Sequence, residues 1–83
     1  MRIKIRLFAR LRDICGSGEI VRNLPTGAMV EDVWKLLTDE YPALASYSSS
    51  ISSALNTEYV KQDAVVHEGD EVAFLPPVSG GNS

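Results

Sequence analysis

One stretch of this chain carries a long helical stripe, and extended segments flank it. Val30, Val33, Trp34, Leu37 and Tyr41 recur three to four residues apart, with Leu36 beside them. That spacing predicts an amphipathic helix over residues 30–41 with one apolar face. Pro42 stops it. Glu31 and Asp32 fall in its first turn, where negative charge suits the helix dipole. Met29 stands at the N-cap and has no side-chain oxygen for the first amides. Asp32 at the third helical position is placed to compensate in part, or the helix starts earlier, at Thr26. A chain of 83 residues forms one small domain that buries about 60% of its unfolded surface. One main helix in such a domain needs a sheet to lie against.

The extended segments supply that sheet. In residues 2–8, Ile3, Ile5 and Leu7 alternate with Arg2, Lys4 and Arg6, the pattern of a half-buried strand. Residues 9–15 read as a short helix ended by Gly16-Ser17-Gly18. Glu19–Leu24 reads as a second strand, antiparallel to the first. Residues 43–53, rich in Ser and Ala, read as a surface connection with Ile51 as its apolar anchor. Leu55–Val60 reads as a strand or tight hairpin around Asn56-Thr57, Asp63–Val66 as a short extended piece, and Glu68-Gly69-Asp70 as a turn. Glu71–Leu75 is the last strand, with Val72 and Phe74 on one face and Ala73 and Leu75 on the other. The order predicts an α+β layer: one mixed sheet packed on one main helix, with additional short helices. If the first and last strands are central neighbours, as in a β-grasp, they run parallel. Residues 1–75 form the domain and 76–83 a flexible tail.

Composition excludes several classes. Apolar residues make up 45% of the chain, which is ordinary for a globular protein and argues against wholesale disorder. No apolar run approaches the roughly 20 residues that span a bilayer. The start, Met1-Arg2-Ile3-Lys4-Ile5, has no signal-peptide core, so a cytoplasmic location is expected. Cys15 is the only cysteine. An internal disulfide and a cysteine metal cluster are therefore not expected, and neither is any other metal site. Five of the eight basic residues lie within the first twelve positions, whereas all eleven acids follow. That asymmetry reads as a solvated strand face followed by acidic elements, or as a bipolar surface that steers a partner. Without a basic majority or basic–aromatic interleaving, nucleic acid is not an expected partner. Cys15 reads as a small buried hydrophobe, His67 as a solvated loop residue, and Asp39-Glu40 and Asp70-Glu71 as surface charge.

The ending Phe74-Leu75-Pro76-Pro77-Val78-Ser79-Gly80-Gly81-Asn82-Ser83 carries the chemistry. The prolines stop the strand and stiffen its exit. Two glycines have no Cβ, so their backbone can pass through a narrow channel. Such a tail suits threading into another protein's active site, where a carboxylate is activated as an acyl-adenylate.

The stretch from Gly69 to Gly81, the start Ile5-Arg6-Leu7-Phe8-Ala9-Arg10-Leu11-Arg12-Asp13, the segment Val30-Glu31-Asp32-Val33 with Tyr41-Pro42 after it, and Ala54-Leu55-Asn56 together resemble one family. It is the small subunits of molybdopterin synthase, which belong to the ubiquitin-like β-grasp sulfur carriers. The likeness covers nearly the whole chain, and Pro-Pro-Val-Ser-Gly-Gly is its most specific part. It implies that an ATP-dependent activating enzyme adenylates the Gly81 carboxylate, which a sulfur donor converts to a thiocarboxylate. The tail, from Pro76 and Pro77 through Val78, Ser79 and Gly80, then inserts into the large synthase subunit. There sulfur passes to cyclic pyranopterin monophosphate. The resemblance also implies a heterotetramer, no bound cofactor, and no acid–base residue in this subunit. Phe8, Tyr59 and Leu75 are its candidates for the partner interface. Family members usually end at the second glycine, whereas Asn82 and Ser83 follow Gly81 here, so either a processing protease is expected to remove them or the chain is a variant that never donates sulfur. The competing expectations are a carrier for thiamine, tRNA thiolation or cysteine synthesis, and a ubiquitin-like modifier or interaction module without sulfur chemistry.

Overall fold

The computed structural model describes residues 1–77. The chain runs β1 (Arg2–Leu7), α1 (Ala9–Cys15), β2 (Glu19–Asn23), α2 (Val30–Glu40), a 3-10 helix (Pro42–Tyr47), β3 (Ser52–Leu55), β4 (Glu58–Val60) and β5 (Glu71–Leu75). The strands make one sheet in the order β2-β1-β5-β3-β4. β1 and β5 pair in parallel at its centre, with Ile5 opposite Val72 and Leu7 opposite Phe74. Every other pairing is antiparallel. This is the β-grasp arrangement that the sequence predicts.

The pleat sorts the side chains. Ile3, Ile5 and Leu7 of β1, Ile20 of β2 and Val72 and Phe74 of β5 share the buried face. Val30, Val33, Trp34 and Leu37 of α2 and Leu11 of α1 join them in one core cluster. Trp34 meets the Phe74 ring at 5.0 Å between centroids, tilted by 57°. Such aromatic pairs add about 0.5–1.5 kcal/mol beyond burial. The indole N–H donates to Ser48 Oγ at 2.9 Å, so its polar edge is satisfied.

The start of α2 shows how a methionine can serve as N-cap. The Met29 amide donates to Asp32 Oδ2 at 2.8 Å, the compensation expected from Asp32. The next two amides are met by distant chain: Val30 N–H donates to Ala64 O and Glu31 N–H to Gln62 O, both at 2.9 Å. Met29 also bridges to Val65. The segment before β5 thus supplies the oxygens the cap residue lacks, and α2 begins at Val30 rather than Thr26.

Two expectations change. Residues 42–47 are not a plain surface connection but a 3-10 helix started by Pro42, and the fully buried anchor there is Leu44, with Ile51 only half-buried. Asp63 lies in a turn with Gln62 rather than in an extended piece. In both places the sequence lacks periodicity long enough to separate a short helix or turn from loop.

Candidate functional site

The outer face of the sheet, away from α2, holds the candidate site. Ala54 on β3 lies opposite both Ala73 on β5 and Tyr59 on β4, and Ser52 lies opposite Leu75. Two adjacent alanines leave the sheet surface low at its middle. Phe8, Tyr59 and Leu75 rise around them, with Arg6, Thr57 and Glu71 completing the lining. The result is an open groove of about 250 Å³. Phe8 is 37% exposed and Tyr59 74% exposed. These are large apolar bodies at the surface, gathered rather than scattered.

Local backbone places each wall. Phe8 sits in extended conformation between β1 and α1, and Ala9 turns the chain with φ +50°. That left-handed turn starts α1 beside the end of β5 and leaves the Phe8 ring on the groove side. Asn56 and Thr57 both have positive φ, +49° and +75°. A two-residue hairpin of that kind matches strand twist and sets the register that puts Tyr59 opposite Ala54. The Asn56 side chain fixes this hairpin to the start of β5: its Nδ2 donates to Asp70 Oδ1, and its Oδ1 accepts from the Glu71 amide, both at 3.0 Å.

The groove opens beside the exit of the tail. Pro76, half-buried, and Pro77, exposed, follow Leu75 directly. Neither has an N–H, so strand pairing cannot continue. Val78, Ser79, Gly80, Gly81, Asn82 and Ser83 lie outside the described residues. Of the expected site residues, the structure therefore brings Phe8, Tyr59 and Leu75 to one groove and sets Pro76 and Pro77 at its end. Arg6, Ala54 and Ala73 were not singled out from sequence. Ala73 was legible as an outward position in β5, but its pairing with Ala54 depends on a register that sequence does not state.

The lining is largely apolar and, among the described residues, holds no cysteine or histidine. Its one carboxylate, Glu71, stands 3.8 Å from an Arg6 guanidinium nitrogen. Cys15, away from the groove, is half-buried and packs against the core. Burial pushes its thiol up, Glu40 adds to the shift, and Arg22 opposes it. Its thiolate fraction at neutral pH is therefore low, which suits packing rather than sulfur transfer. The His67 side chain is exposed, with Nδ1 at 3.8 Å from Asp70 Oδ2. The basic first strand is answered by its neighbours, since Lys4 lies 3.9 Å from Glu19 and Arg6 near Glu71. Exposed pairs at those distances contribute little.

The model of the ThiS family matches residues 5–81. The chain belongs to this family. The molybdopterin synthase sulfur carrier subunit of Chlamydomonas reinhardtii is 42% identical, over 98% of this chain and the whole of that one. The subunit of the same name from Arabidopsis thaliana is 37% identical, over 95% of this chain and 82% of that one. Among solved structures, the small archaeal modifier protein SAMP1 from Haloferax volcanii matches with a TM-score of 0.88 and 30% identity, covering 98% of this chain and all of that one. Among the described residues, no helix is long and apolar enough to cross a membrane.

Proposed function

We propose that this chain is the sulfur-carrying small subunit of a molybdopterin synthase. The observation that carries the reading is the groove of Phe8, Tyr59 and Leu75 beside Pro76-Pro77, from which the chain continues to Gly80-Gly81. A partner docked there receives the tail at a defined point. The sulfur carrier subunits at 37–42% identity support the same reading. In it, an activating enzyme joins the Gly81 carboxylate to the AMP of ATP, releasing pyrophosphate. Sulfide-level sulfur from a donor attacks the acyl carbon, displaces AMP and leaves a thiocarboxylate. The large synthase subunit holds the tail while the thiocarboxylate sulfur bonds to cyclic pyranopterin monophosphate, and water then cleaves the acyl–sulfur bond and regenerates the carboxylate. The carrier contributes the sulfur and its position, and the acid–base chemistry belongs to the large subunit.

Gly81 is bonded to Asn82 in this sequence, so the reading requires a protease to open that bond first. Intact-mass measurement of the protein drawn from its native cell with the large subunit tests this step. A population ending at Gly81 is expected, and retention of Asn82-Ser83 in the bound form counts against it. The transfer itself is tested by mixing the chain ended at Gly81, as thiocarboxylate, with the large subunit and the pyranopterin precursor. Dithiolene product is expected, and its absence overturns the reading.

The likeness to the archaeal modifier protein favours a second reading, attachment of Gly81 to lysines of other proteins. Gly81 found in isopeptide linkage, with no thiocarboxylate in the cell, would select it.

A further inference from the structure

We infer that Arg6 makes the groove selective for a partner segment that carries a carboxylate next to its apolar side chains. The inference rests on the proposed docking of a large synthase subunit in this groove.

Arg6 is the one cation in a lining that is otherwise apolar or small apart from the Glu71 carboxylate. Its Cζ lies 5.4 Å from the centroid of the Phe8 ring, so the guanidinium rests against a groove wall. Its ion pair with Glu71 is long, at 3.8 Å. Among the described residues its guanidinium N–H groups make no hydrogen bond, whereas Arg22 makes four through the same kind of fork. Its side chain is 41% exposed and Glu71's is 31% exposed. In the free protein, these donors are open to solvent water.

Docking removes that water. An apolar segment laid across Ala54, Ala73 and Leu75 covers Arg6 as well. A guanidinium covered without an acceptor within hydrogen-bond distance is a buried unpaired charge, which is strongly unfavourable. A carboxylate on the partner, beside its apolar side chains, meets the fork with two parallel hydrogen bonds. Arg6 thus rewards an acidic neighbour and rejects a basic or purely aliphatic segment of the same shape, which is specificity by penalty as much as by attraction. Glu71 is then the competitor: its negative charge stands close to where the partner's carboxylate arrives.

The test measures affinity for the large synthase subunit of the source organism. Arg6→Met keeps most of the side chain's stem and removes the fork. It is expected to weaken binding by about 10- to 100-fold and to flatten the dependence of affinity on salt. Glu71→Gln is expected to tighten binding by about threefold, because it removes the competing charge. Equal or tighter binding by Arg6→Met overturns the inference. So does a loss in Glu71→Gln that matches Arg6→Met, since the pair would then be closing on itself. Thermal midpoints of both variants separate a docking effect from a folding one: a drop in midpoint parallel to the loss of affinity also overturns it. If the wild-type chain does not bind the large subunit at all, the docking reading falls and this inference with it. If the wild type binds and only the Arg6 and Glu71 results fail, docking stands and Arg6 has no selective role.

Discussion

Thr57 holds a backbone conformation that its side chain resists. Its φ is +75°, and a β-branched residue is seldom found there. The hairpin needs it, because Asn56 and Thr57 are the only two residues between β3 and β4. Glycine adopts the same φ without strain and is the usual second residue of such a turn. Thr57→Gly is therefore expected to stabilise the fold by about 1 kcal/mol, a rise of about 4–8 °C in thermal midpoint for a domain this size. Calorimetry of the two proteins checks it, and an unchanged or lower midpoint contradicts it. Tyr59, two residues on, is 74% exposed. Tyr59→Ala is expected to leave stability within about 0.5 kcal/mol, yet weaken binding to the large subunit by about tenfold or more as a lost aromatic anchor. Denaturant melts and a binding isotherm on one preparation separate the two effects.

At the scale of elements, contacts distant in sequence complete what local pattern leaves open. Arg22 of β2 grips Glu40 at the end of α2 through Nε and Nη2, with the shortest contact at 2.7 Å. The hydrogen bond from Arg22 holds the Glu40 carboxyl below the usual carboxylate range, against a smaller opposing effect of burial. A folded value below the unfolded one means the pair's contribution is present above about pH 4 and is lost as pH falls through the lowered value. Both side chains are about one-third exposed, so water screening limits the contribution to roughly 0.5–1 kcal/mol. Glu40→Gln is expected to lower unfolding free energy by that amount at pH 7, with the gap to wild type closing below about pH 4. Urea melts across that range read it directly. The main helix, the first and last strands and the outward row in β5 were legible because their periodicity is long or cleanly alternating. The 3-10 helix was not, since Leu44 is one apolar residue among Pro, Ala and Ser and only its contacts show it to be buried. Leu44→Ala is expected to cost about 2–5 kcal/mol, against about 1–2 kcal/mol for Ile51→Ala. Equal losses in urea melts would restore Ile51 as the anchor. The groove was half legible: its aromatic and aliphatic walls could be named from resemblance, but its alanine floor is a product of register.

In the proposed function, the whole molecule anchors the chain leading to Gly81 at one point of a fixed surface. β5 is held between β1 and β3 at the middle of the sheet, and Phe74 is fully buried. Leu75 therefore cannot slide relative to the groove, and Pro76-Pro77 follow it directly. From Pro76 to Gly81 a fully extended chain reaches roughly 20 Å, and each residue changes that reach by about 3.4 Å. Reacting atoms must approach within about 3–3.5 Å in good alignment, so an error of one residue exceeds the tolerance of the chemistry. In the proposed function, docking and transfer then depend on different parts of the chain. Deleting Ser79, in protein ended at Gly81, is expected to leave affinity for the large subunit within about threefold of wild type. Sulfur transfer in single turnover is expected to fall by about 100-fold or more. Duplicating Ser79 is expected to do the same, since a longer tail must buckle to bring the carbonyl carbon of Gly81 to the same place. Transfer at the wild-type rate from both variants would mean that the tail finds its site without help from the sheet, and the groove would then be a contact surface with no part in aiming the sulfur.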